Sequence, residues 1–202
     1  MANMIFQHTW EKVIAGEKTQ TRRIVKPGQR LVEEFYDWPF WHVYDNNDRL
    51  VYATYTPLNI ATGRYAVMPA RGVRGLRKVA DIQITRIRRE DIREISAEDV
   101  TAEGFRAEYP SGAYFGFIET WASMHDPAFK FWYEPRIVDY MWYTSKRQME
   151  QGESCIGSWE HLQNAIKARP ADHYQAWVLD FTLIKTYPEA ISFAKEILRE
   201  AR

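Results

Sequence analysis

Between Val79 and Ile87 the side chains alternate, with Ala80, Ile82 and Ile84 apolar and Asp81, Gln83 and Thr85 polar between them. A period of two fits a strand with one buried face and fits no helix. Tyr174 to Ile184 repeats the pattern, placing Trp177, Leu179, Phe181 and Leu183 on one side, and Tyr65 to Met68 reads as a shorter strand. Helical patterns stand around these strands without the regular βαβ rhythm of a parallel sheet. The expectation is an α+β domain, built on a small, mainly antiparallel sheet or β-barrel flanked by helices.

The remaining elements follow from local signals. Residues 8–16 read as a short helix, with Trp10, Val13 and Ile14 at helical spacing and Gly16 as its stop. The following GEKTQTRR then reads as a turn or loop. Lys26-Pro27-Gly28 marks a turn, and Leu31 to Tyr55 reads as strands around the polar turn Asp45-Asn46-Asn47-Asp48. Ser96 is an N-cap with Glu98 and Asp99 in the first turn of a helix from Ala97 to about Glu103, stopped at Gly104. Residues 114–125 form a helix with Phe117, Ile118, Trp121 and Met124 on one face, ended by Asp126-Pro127. Ser158 caps a helix to about Ala168, residues 128–157 carry no clear pattern, and an amphipathic helix over 188–201 closes the chain.

Composition fits one compact domain over residues 1–202, with a helical, aromatic-rich insertion at about 106–173. The 202 residues are 46% hydrophobic and 27% charged, with 8 Trp, 12 Tyr and 10 Phe, which disfavours disorder. A chain of this size buries roughly 70% of its unfolded surface, so neither a metal nor a disulfide is needed to hold a core. The single Cys155 makes no internal bridge and points to a reducing compartment. No apolar run reaches the roughly 20 residues of a membrane span. The segment MANMIFQHTWEKVIAG lacks the pattern of a signal peptide. A soluble cytoplasmic protein with no membrane partner is expected.

Motifs for common chemistries are missing. Neither GxGxxG nor GxxxxGK[ST] occurs, no GxSxG elbow is present, and His8, His42, His125, His161 and His173 have no metal-ligand spacing. No metal or cofactor is expected. Charge is more informative. The 27 basic and 27 acidic residues cancel overall, yet Lys18 to Arg30 holds Lys18, Arg22, Arg23, Lys26 and Arg30 with no acid, and Arg64 to Arg89 holds eight basic residues against Asp81. If the fold joins these windows they form a positive face suited to phosphates; taken singly they also fit solvated turns. The loop Arg71-Gly72-Val73-Arg74-Gly75 suits either role. Lys18 and Thr21 lie three apart, so on a helical turn they share a side. A lysine desolvated beside Arg22 and Arg23 sheds its proton more readily and activates a neighbouring hydroxyl. The same segment also reads as a solvated basic turn.

The segment GEKTQTRR after a short helix, a strand ending ITRI and then ISAEDVTAEGF together resemble the ASCH domain family of the PUA-like superfamily. The longer phage and prophage members are the nearest in pattern, with a Trp-rich middle like TWASMHD and a closing strand like YQAWVLDF. The resemblance covers about 5–30, 64–125 and 174–184. Its specific part is GxKxxTxR, which here is Gly16, Lys18, Thr21 and Arg23. The resemblance implies a small β-barrel flanked by helices, a cleft lined by the motif loop, and binding of RNA or nucleosides. One branch hydrolyses the amide of N(4)-acetylcytidine. Carried over by position, its catalytic residues are Lys18, Thr21 and Glu103, with Glu98 and Asp99 as fallback carboxylates. In that scheme Lys18 takes the Thr21 proton, Thr21 attacks the carbonyl and Glu103 protonates the leaving amine, while Arg22 or Arg23 steadies the oxyanion or a phosphate. A non-catalytic RNA-binding module, or a ribonuclease, is the alternative. It would use Arg22, Arg23, Arg71, Arg74, Arg77 and Lys78 on an open surface. On the bland reading Glu103 is an ordinary exposed helix residue, and the Thr21 hydroxyl caps the loop backbone.

Overall fold

The computed structural model describes residues 2–7, 9–36, 38–54, 63–106, 110–126, 166–169 and 171–200. Among them are eight strands in two sheets and four α-helices, a mixed α+β architecture. The chain divides into two compact units, one of Met1–Arg89, Thr101–Gly104 and Trp177–Arg202, the other of Glu90–Val100 and Phe105–Ala176.

In the first unit a five-stranded sheet has the order β1-β6-β7-β8-β2. Its strands are β1 (Ala2–Ile5), β2 (Gln20–Ile24), β6 (Arg64–Met68), β7 (Ala80–Asp91) and β8 (Gln175–Thr186). β1 runs parallel to β6, and β6 antiparallel to β7. The second sheet is an antiparallel meander of β3 (Arg30–Tyr36), β4 (Trp38–Tyr44) and β5 (Leu50–Thr54), with Arg30 opposite Tyr44. The expected Asp45–Asp48 turn joins β4 to β5: the Asp45 carboxylate accepts from the Asn47 and Arg49 amides, and Asp48 takes a positive φ of 55°. Among the described residues both sheets are open, with no pairing that closes a barrel.

The alternation in β7 packs as expected. Ala80, Ile82 and Ile84 are fully buried and Ile87 nearly so, while Thr85 is exposed. Asp81 departs from the pattern, because it is buried where the Tyr187 hydroxyl and Lys78 bond its carboxylate. In β8 both faces are covered over Ala176–Leu179, which a strict alternation does not anticipate, and Leu183 is exposed. Met4, Phe6, Trp10, Val13, Val43, Val67, Trp177, Leu179 and Phe181 complete this core. The helix α1 (Trp10–Ile14) is shorter than the expected 8–16 and contributes Trp10 and Val13. The last helix, Pro188–Glu200, turns Ala194 into the core, with Ile191 and Leu198 packed beside it.

The helix α2 (Ala97–Ala102), whose last two residues belong to the first unit, starts where Ser96 Oγ accepts from the Asp99 amide. α3 (Pro110–His125) begins four residues earlier than expected, with a proline in its first turn. Phe117, Ile118 and Trp121 are buried as expected, but Met124 is 61% exposed. Asp126, almost fully buried, accepts two 3.0 Å hydrogen bonds from Arg169 and one from the Tyr174 hydroxyl, tying the end of α3 to 169–174. The final helix over Pro188–Glu200 is α4. The expected helix from Ser158 lies outside the described residues apart from 166–168, as do 128–157 and most of the 106–173 segment. No described helix is long and apolar enough to cross a membrane.

Candidate active site

The end of α1 directs the chain toward the site. Gly16 adopts φ +73°, the left-handed conformation that glycine takes without a Cβ penalty, and the Lys12 carbonyl then accepts from both the Glu17 and Lys18 amides. The chain leaves extended. The Thr19 amide donates to the Ala102 carbonyl at 2.9 Å, and the Thr19 carbonyl accepts from the Phe181 amide at 2.9 Å. Residue 19 therefore bridges the end of α2 and strand β8, so that Lys18 faces the turn after α2.

That turn carries Glu103. Gly104 follows at φ +84°, and a Cβ there would stand 3.0 Å from Lys12 Cδ and 3.2 Å from Lys18 Cβ, so only glycine fits without displacement. Lys12 Nζ donates to the Gly104 carbonyl from the other side. Lys18 Nζ donates to the Glu103 backbone carbonyl at 2.8 Å and forms an ion pair with Glu103 Oε2. Arg22 Nη1 meets the other carboxylate oxygen at 3.1 Å. Lys18, Arg22 and Glu103 are 3%, 4% and 4% exposed, so neither a solvated basic turn nor an exposed helix residue describes them.

Thr21 is also buried, but the reason differs from the expected helical turn. Gln20–Ile24 is a strand, in which Thr21 and Arg22 are both covered, rather than a turn on which Lys18 and Thr21 stack. A polar, charged sequence such as QTRRI carries no strand alternation, and its pairing is supplied by the sheet. Thr21 Oγ1 accepts a 2.8 Å hydrogen bond from Arg23 Nη1. The Arg23 guanidinium also donates to the carbonyls of Arg22 and Ile5 and lies over the Phe6 ring. The fold thus joins Lys18 to Glu103 and Arg22, and holds Thr21 through Arg23; Lys18 and Thr21 are not hydrogen-bonded to each other. Glu98 is exposed and Asp99 half-buried, and Glu103 is the carboxylate that meets Lys18.

Electrostatics set the proton position. Burial pushes the Lys18 ammonium below its ordinary pKa of 10.5, and Arg23 and Arg22 push the same way, while the Glu103 carboxylate opposes them. The result is an amine that sheds its proton more readily than an exposed lysine. It stands in hydrogen-bond contact with the Glu103 carboxylate.

The basic windows do not form one uncompensated face. Lys18 and Arg22 meet Glu103, Arg30 meets Asp48, Lys78 meets Asp81, and Arg88 meets Asp180. The loop between β6 and β7 differs, since Arg71, Arg74 and Arg77 are exposed and none forms an ion pair among the described residues. Lys12, Lys185, Tyr187 and Phe193 were not marked by the sequence. Lys12 had a signal in its place one turn before the Gly16 stop; the others lie where no motif reaches.

His42 Nδ1 meets the Tyr44 hydroxyl, His173 Nδ1 meets the His125 carbonyl, and no group of three His, Cys, Asp or Glu among the described residues is placed to hold a metal. Cys155, His8 and His161 lie outside the described residues. No family model matches this chain, and neither the curated proteins nor the solved structures contain a match to it.

Proposed function

We propose that the chain is an ASCH-type, PUA-like protein that binds nucleosides or RNA and hydrolyses the amide of an acylated nucleoside at Lys18, Thr21 and Glu103. The observation that carries this reading is the buried contact of Lys18 with Glu103, two residues the GxKxxTxR resemblance pairs across 85 positions of sequence. Burial, with Arg23 and Arg22, favours the neutral amine, and Glu103 stands within hydrogen-bond reach of it.

The reaction follows from these groups. Neutral Lys18 takes the Thr21 hydroxyl proton as Oγ1 bonds to the amide carbon, and the carbonyl electrons move to oxygen. Arg23, already donating to Thr21 Oγ1, stabilises the negative charge as it develops. Collapse breaks the C–N bond, and the proton taken from Thr21 passes from Lys18 through Glu103 to the departing amine, leaving an acyl ester on Thr21. Lys18 then takes a proton from the water that attacks the ester carbon and returns it to Thr21 Oγ1 as the carboxylic acid leaves. Lys18 must swing toward Thr21 when substrate arrives, as apo-state catalytic contacts commonly tighten only in the complex.

The test is acyl release from a panel of N(4)-acylated cytidines. Wild type should turn over at least one, with activity rising as pH climbs through the lowered Lys18 pKa, because the base is the deprotonated amine. Lys18→Arg keeps the charge but supplies a group that holds its proton, and should lower kcat by at least about a hundredfold. Absence of turnover across the panel overturns the hydrolase. A second reading, RNA binding without turnover, is favoured by the exposed Arg71, Arg74 and Arg77.

A further inference from the structure

A groove of about 710 Å³ lies in the first unit, between the end of the β6–β7 loop and the first turns of α4, within the roughly 300–1,000 Å³ range of small-ligand sites. Gly75, Arg77, Lys78, Tyr187, Glu189 and Phe193 are among its lining residues. A Cβ added at Gly75, which takes φ +89°, would stand 3.8 Å from the Phe193 ring and 4.0 Å from Ile197, so the loop passes close to this side of the helix.

Two chemistries meet there. Lys78 and Lys185 place their ammoniums 4.7 Å and 5.1 Å from the centre of the Tyr187 ring, and the Tyr187 hydroxyl donates to Asp81 at 2.6 Å. These contacts, with the Lys78–Asp81 ion pair, hold Lys78 and Tyr187 in place along one wall. Arg77 is exposed on the rim with no ion pair among the described residues, so its guanidinium fork is available for bidentate contact with a phosphate. Phe193 is 43% exposed, an aromatic face turned to solvent rather than to the core, which receives Ala194 instead. Among the described lining residues Glu189 is the carboxylate, and it offers an acceptor for an exocyclic amine.

We propose that this groove binds a nucleotide unit, with its phosphate on Arg77 and its base stacked on Phe193. A guanidinium beside an exposed aromatic ring is the pairing that recognises a phosphate next to a planar base. A purely anionic ligand would leave Phe193 unused, and an apolar one would leave Arg77 desolvated without compensation. The groove goes beyond the amide chemistry at Lys18 and gives the RNA-binding reading a located contact. The source of the nucleotide, a strand of RNA or a free mononucleotide, is decided by experiment.

The experiment is fluorescence anisotropy with a labelled cytidine octamer on the full chain, at low and raised salt, with cytidine monophosphate and inorganic polyphosphate as competitors. Both sites tested are on exposed side chains, and thermal melts confirm the fold of each variant. Phe193→Ala and Arg77→Glu should each weaken octamer binding by about tenfold, and the loss with Arg77→Glu should shrink as salt rises. Competition by cytidine monophosphate at matching concentration identifies the free nucleotide as sufficient; competition by longer strands alone identifies RNA. If wild type binds the octamer and both variants bind equally well, the groove assignment is overturned while RNA binding elsewhere on the chain stands. If Phe193→Ala is silent and polyphosphate displaces the octamer as well as RNA does, the site reads charge alone and the nucleotide assignment is overturned. If wild type does not bind at low salt, the groove and the RNA-binding reading both fall, leaving the amide chemistry to its own assay.

Discussion

At the scale of the residue, Glu103 is the hub of the candidate site. Its two carboxylate oxygens meet different cations, Lys18 and Arg22, and all three side chains are buried. Replacing one partner of a buried pair leaves the other charge without compensation and costs about 3–5 kcal/mol, whereas the intact cluster adds little net stability. The cost should be unequal here. Lys18→Met leaves Glu103 in contact with Arg22, but Glu103→Ala withdraws the carboxylate from both cations at once. Urea unfolding should therefore show Glu103→Ala as the more destabilised variant. The opposite order would mean that Lys18, not Glu103, organises the cluster. This hub was only half legible in sequence. The motif marked Lys18 and Thr21, but their spacing was read with a helical period, while the chain there is extended and enters a strand. The partner of Lys18 lies 85 residues away, and no local rule links them. A position carried over from the resemblance indicated Glu103, and its burial follows from the turn that Gly104 permits.

At the scale of the element, strands with apolar alternation or turn signals were legible, the short β6 and the β3–β5 meander among them, and β1 and β2 were not. β7 and β8 carry enough alternating apolar side chains to announce their faces, and the short helix before Gly16 and the cap at Ser96 follow from side-chain chemistry. β1 and β2 carry no comparable pattern; ANMI and QTRRI become strands because neighbours in the sheet supply hydrogen bonds and cover. Asp81 shows how one polar residue on the outer face of a strand anchors a helix. It bonds Lys78 and the Tyr187 hydroxyl just before α4, while the Tyr187 amide donates to the Val79 carbonyl. Burial alone would raise the Asp81 pKa, but the hydrogen bonds from Tyr187 and Lys78 and the charges of Lys78 and Arg64 outweigh it and hold the carboxyl below 3.8. A folded-state pKa below the unfolded one means that the unfolded chain binds the proton more readily. The contribution is thus complete above about pH 4 and is lost as pH falls through the folded value. Asp81→Asn should cost about 1–3 kcal/mol at pH 7. Urea midpoints measured from pH 7 down to pH 2 should show the gap between wild type and Asp81→Asn narrowing below pH 4. A gap that stays constant to pH 2 would contradict the anchoring role.

At the scale of the whole molecule, the class of fold was legible and its closure was not. Strands without βαβ rhythm and helices set around them gave a mixed α+β chain, as the two sheets show. A closed barrel depends on which distant strand edges meet, and side-chain alternation carries no information on that. Charge was the least transferable signal. The two basic windows suggest a face for phosphate, yet at least five of their cations are engaged by Glu103, Asp48, Asp81 and Asp180, while Arg71, Arg74 and Arg77 stand exposed on the β6–β7 loop. Thirteen linear positions cannot reveal which carboxylates the fold will bring beside them. The central claim, that Lys18, Thr21 and Glu103 act together on an amide, makes Thr21 the atom that carries the acyl group. Wild type mixed with an N(4)-acylated cytidine and quenched with acid before steady state should yield, by peptide mass spectrometry, an acyl adduct on Thr21, and Lys18→Arg should yield none. Turnover that proceeds with Thr21 unlabelled, and that survives in Thr21→Val, would contradict it.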